Sequence, residues 1–140
     1  MHLTTRRAQG VTSSPPIIAI AAVLLAQTGL EFAVLVGSRA TGNATESSDW
    51  DIALQWAPGL GLWTVLAQTE TLRRQLAGAL GLGEAAIDLI DLHRANLTMR
   101  ASVAEEGVPL CGEDTLAWAH FLTRTWRELE DFYWDKQHAA

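Results

Sequence analysis

At 140 residues, with 49% hydrophobic and 19% charged positions, the chain has apolar surface enough for one core and too little length for two ordinary domains. Ten basic residues against sixteen acidic ones leave a net charge of −6, the wrong balance for gripping nucleic acid by its phosphates. A single cysteine, Cys111, excludes an internal disulfide and a cysteine-built zinc site, fits a reducing compartment, and reads as inert packing.

Residues 1–13 are polar, lack periodicity and read as a loose arm ahead of one domain over residues 14–140. Arg6 and Arg7 before the apolar run at 17–26 imitate a signal peptide, but about ten apolar residues cannot span a bilayer. Ser14-Pro15-Pro16 and Gly29 punctuate that run as a helix over 15–28. The β-branched and aromatic stretch 31–36 predicts a buried strand, closed by Gly37-Ser38 and followed by a turn or short helix through 39–43. Residues 49–56 predict a second strand, with Asp49 and Asp51 on one polar edge. Leu62, Val65, Leu66, Leu72, Leu76 and Leu80 recur at helical spacing up to Gly81.

A third strand follows at 86–92, and Asn96 caps a helix of about ten residues that ends at Gly107. Pro109 confines 108–110 to a sheet edge at most. The last helix, 114–136, sets Trp118, Phe121, Leu122, Trp126, Leu129, Phe132 and Tyr133 mainly along one side. Helices and short strands in this order predict an α/β (α+β) fold, a small mixed sheet flanked by helices with a C-terminal amphipathic helix.

One constellation carries chemistry. Gly37-Ser38 is followed by ten residues and then by Asp49-Trp50-Asp51, a pattern that chance supplies on the order of once in several hundred such chains. Two carboxylates spaced by two on a strand project from one face and can converge on the same ions. Mg²⁺ accepts one or two carboxylates and fills its other positions with water and substrate phosphates. At Gly37 the missing Cβ lets backbone approach a phosphate, the Ser38 hydroxyl can donate to it, and Arg39 can add a charged contact. Asp88 and Asp91 are three apart on the later strand, so only one of them can join the site. His2, His93, His120 and His138 share no metal-ligand spacing and read as surface or capping residues.

These residues resemble a minimal nucleotidyltransferase of the DNA polymerase beta superfamily, whose pattern is Gly-Ser, ten residues, Asp-x-Asp and a later acidic residue. The small, solitary domain is similar to the antitoxins paired with HEPN-domain ribonuclease toxins. The resemblance implies transfer of AMP from ATP to a tyrosine hydroxyl of such a toxin, with two Mg²⁺ ions. It assigns Gly37 and Ser38 to the triphosphate, where Arg39 can join them, and Asp49, Asp51 and Asp88 to catalysis and metal, Asp88 also helping to deprotonate the acceptor. Thr41 and Trp50 depart from the family pattern, at a basic and an aliphatic position respectively. Two other functions stay open: an antitoxin that neutralises its partner by occlusion, and transfer to a small molecule such as an aminoglycoside. A cytoplasmic setting is expected, with no nucleic-acid groove and no membrane span, and a homo-oligomer is left open.

Overall fold

The computed structural model describes residues 14–139, so the arm expected at 1–13 lies outside the described residues. Helix α1 (Pro15–Leu25) leads into strand β1 (Leu30–Val36) and a single helical turn, α2 (Ser38–Thr41). Strand β2 (Trp50–Trp56) and the long helix α3 (Leu62–Leu80) follow. A 3₁₀ turn leads to β3 (Ile87–Asp91), then come a second 3₁₀ turn, α4 (Leu97–Glu106), β4 (Val108–Cys111) and α5 (Leu116–Gln137).

The four strands form one sheet in the order β3-β2-β1-β4. β1 runs antiparallel to β2 and β4, whereas β2 and β3 are parallel. β4, with Pro109, takes an edge as expected, because proline has no N–H to give a further neighbour.

Alternation along the strands divides the interior in two. Leu35, Ile52, Leu54, Trp56 and Ile87 pack under Ile20 and Leu24 of α1 and Leu72 and Leu76 of α3. Phe32, Val34 and Ala53 face the other way, against Val103 of α4 and Trp118, Phe121 and Leu122 of α5. Phe32 meets the Trp118 ring edge-on at 4.9 Å between centroids, and Trp118 stacks on Phe121 at 5.5 Å, which fixes α5 on the sheet. Cys111 is buried in the first cluster, and burial pushes its thiol pKa up, which keeps it unreactive.

The terminal helix leaves the sheet at its far end. Its buried positions stop at Leu129, and Phe132 and Tyr133 are 48% and 58% exposed. At 22 residues the helix is about 33 Å long, against about 23 Å for the seven-residue strands, so it outruns the sheet. Helix α1 also stops earlier than its apolar run suggested, at Leu25. Among the described residues no helix is long and apolar enough to cross a membrane.

Candidate functional site

Three neighbouring strands bring the acidic positions and the glycine turn together. β1 ends at Val36, which pairs with Asp51 on β2, and Asp51 pairs with Asp88 on β3. By alternation, Asp51 and Asp88 lie on the sheet face that α4 and α5 cover, beyond the edge of the apolar packing. Asp49 falls just ahead of β2 and not on it, exposed, where the chain enters the strand. The parallel register thus separates the two candidates for the third carboxylate. Asp88 stands opposite Asp51, whereas Asp91 pairs with Leu54 further along the sheet. There the Asp91 carboxylate accepts a hydrogen bond from the His93 N–H at 3.1 Å and caps the 3₁₀ turn.

Gly37 is required by both conformation and space. Its φ is +73°, in the left-handed region, and a Cβ at this position would land on the Asp51 carboxylate oxygen Oδ2. The glycine therefore allows the turn after β1 to press against the acidic face. Ser38 follows as the first residue of α2, half-buried, and its hydroxyl has no partner among the described residues.

Charge accumulates where these elements meet. Asp51 has its pKa raised above the ordinary aspartate value, first by burial, then by the negative charges of Asp88 and Asp49 and by a hydrogen bond to the Asp88 side chain. Among the described residues, no three His, Cys, Asp or Glu side chains enclose a metal position. The donor set is nonetheless one that suits Mg²⁺: hard carboxylate oxygens, mutually repelling, beside a glycine cradle that a Cβ would fill. Such a platform needs substrate oxygens and water to complete the coordination.

Arg39 occupies a place that sequence reading missed. Its Nε and Nη2 donate to the Ser48 carbonyl at 3.1 and 2.8 Å, and Nη2 also reaches the Glu46 carbonyl at 3.4 Å. The guanidinium lies 4.1 Å from the centre of the Trp50 ring, a cation–π contact. The arginine therefore fastens the link between α2 and β2 that delivers Asp49. Trp50, buried at the position between the two aspartates, is its seat. The only signal in the sequence was an arginine and an aromatic at the two ends of one loop.

The family model for polymerase beta, nucleotidyltransferase, matches residues 19–116. No curated protein matches the sequence significantly. Among solved structures, a toxin-antitoxin with AMP-PNP is 25% identical with a TM-score of 0.67, covering 86% of this chain and 92% of that one. The toxin-antitoxin MntA-HepT is 25% identical with a TM-score of 0.61, covering 87% and 91%. A tri-AMPylated Shewanella oneidensis HEPN toxin in complex with MNT antitoxin shares the fold, at 24% identity and a TM-score of 0.62, with 87% and 90% covered.

Proposed function

Because the chain belongs to the polymerase beta nucleotidyltransferase family, we propose that it is a metal-dependent transferase that moves AMP from ATP to a tyrosine hydroxyl of a HEPN-type ribonuclease toxin. It acts as the antitoxin of that pair in the cytoplasm, with residues 14–140 as a single domain. The observation that carries this reading is the juxtaposition of Gly37, Asp51 and Asp88 across three adjacent strands. The structural relatives support it. One is a toxin-antitoxin with AMP-PNP, an ATP analogue, and another holds a tri-AMPylated HEPN toxin, the product such a transfer leaves.

In the reaction, the acceptor oxygen forms a bond to the α-phosphorus while the bond to the bridging oxygen breaks and pyrophosphate departs. Gly37 lets the backbone come close to the triphosphate, and the Ser38 hydroxyl donates to its oxygens. Asp49, Asp51 and Asp88 would hold two Mg²⁺ ions, which would supply Lewis-acid polarisation and neutralise the phosphate charge. Asp88, exposed at the edge of the acidic face, accepts the proton of the acceptor hydroxyl. Arg39 keeps Asp49 in place through Ser48 and Trp50 and adds its charge to the phosphate contacts of Ser38 and backbone N–H groups.

Incubation with α-labelled ATP, Mg²⁺ and the HEPN protein encoded beside it tests the proposal. Label moves to the HEPN protein with the wild type and is lost with Asp49→Asn. No label transfer by the wild type with any nucleotide overturns it. The exposed Phe132, Tyr133 and Trp134 favour a second reading, neutralisation by occlusion alone. That reading holds if the double variant Asp49→Asn, Asp51→Asn still neutralises the toxin in cells at equal expression.

A further inference from the structure

The face of the sheet that carries Asp51 and Asp88 is covered by α4 and α5, and these two helices leave a groove between them of about 510 Å³. Leu97 and Ala101 of α4 and Leu129, Phe132 and Tyr133 of α5 make it apolar. Phe132 and Tyr133, 48% and 58% exposed, leave large aromatic surface uncovered along this groove. Arg100 of α4 is ion-paired to Glu128 of α5, which ties the two helices together beside the groove.

Its charge says what covers it. Glu105 and Glu106 line the groove at the C-terminal end of α4, and no basic residue occupies that last turn. Two carboxylates at a helix C-terminus add to the negative end of the helix dipole, an arrangement that a lone chain leaves unrelieved. Neither glutamate pairs with a cation among the described residues. Of the flanking cations, Arg100 is paired with Glu128, and Lys136 lies over the groove's own Phe132 ring at 5.6 Å and reaches neither glutamate. A second copy of this chain would bring another net charge of −6 to the same place, which disfavours self-association there.

Resting on the function proposed above, we infer that the α4–α5 groove docks the acceptor protein through an amphipathic segment, its apolar side chains between the helices and its Lys or Arg residues against Glu105 and Glu106. The topology makes the docking productive. Glu106 is followed at once by Gly107 and Val108, and Val108 pairs with Leu35, one residue before the Val36 that faces Asp51. The acidic end of the groove therefore points to the end of the sheet where transfer takes place.

The test measures binding of the HEPN protein by calorimetry and, separately, AMP transfer, for the wild type, Glu105→Lys/Glu106→Lys and Phe132→Ala. All substituted positions are exposed, and unchanged melting temperature and AMP-PNP binding verify that the fold and the nucleotide site are intact. The expected result is affinity weakened on the order of tenfold or more in each variant, the loss in the charge reversal shrinking at high salt. Variants that bind the HEPN protein as tightly as the wild type overturn the inference, as does a wild-type dimer that the charge reversal dissociates. A wild type that binds through the groove but transfers no AMP leaves the docking standing and refutes the transferase reading instead.

Discussion

Asp51 is the residue at which stability and chemistry oppose each other. Its pKa is raised in the folded protein by burial and by the charges of Asp88 and Asp49. A carboxyl with a raised folded pKa contributes stability below the unfolded value, and this contribution is lost as pH rises through the folded value. Ionising Asp51 therefore costs the metal-free fold stability, increasingly so as pH rises. Asp51→Asn raises the melting temperature of the metal-free protein at pH 7 to 8 and brings little gain below about pH 4. The same substitution lowers transfer by about two orders of magnitude or more. Mg²⁺ with ATP raises the melting temperature of the wild type and loses most of that effect in the variant, a calorimetric pair that separates ligation from folding.

Arg39 makes the complementary case, a residue that acts on the site through another. Arg39→Ala removes two donors to Ser48 and the contact to Trp50, at about 1–2 kcal/mol, and loosens the 42–49 link. The expected signature is a fall in kcat with faster proteolysis of that link. Lysine does not restore it, because an ammonium cannot reproduce the planar fork on Ser48 and the ring. A loss confined to KM for ATP would place the guanidinium on the triphosphate.

The elements follow mostly from local chemistry. Asn96 accepts from the Met99 N–H at 2.9 Å and Thr115 from the Trp118 N–H at 3.2 Å, so side chains start both helices of the second layer. Asn96→Ala costs about 1 kcal/mol, read as a melting temperature lower by about 3 °C. Gly107→Ala costs more, about 1–3 kcal/mol, because the added Cβ meets both Val34 Cγ1 and the Val103 carbonyl oxygen.

This contrast marks how far the sequence could be read. The Asn96 cap, the Gly81 stop and the edge position of Pro109 depend on near neighbours in the chain, and they were legible. The partner of Arg39 and the choice of Asp88 over Asp91 depend on which strands lie side by side. For Asp88 that is the register Asp51 to Asp88 between strands 37 residues apart in the chain, which periodicity does not encode. Asp49 falling outside β2, and the end of α5 projecting past the sheet, are likewise products of tertiary length matching.

For the molecule as a whole, the net charge of −6 takes on a local meaning. Some of that charge gathers in Asp49, Asp51 and Asp88 at one end of the sheet, where the proposed function puts the cations, and some lines the α4–α5 groove on the same face. The two sheet faces divide the labour. α1 and α3 cover a face that only packs, whereas α4 and α5 cover the face with the carboxylates. The most direct measurement is the mass of the HEPN protein after incubation with this chain, ATP and Mg²⁺, with the modified residue mapped by fragmentation. The account predicts the increment of one or more AMP groups on tyrosine with the wild type and none with Asp49→Asn, Asp51→Asn. An unmodified HEPN protein after reaction with the wild type, or equal modification by the double variant, would contradict it.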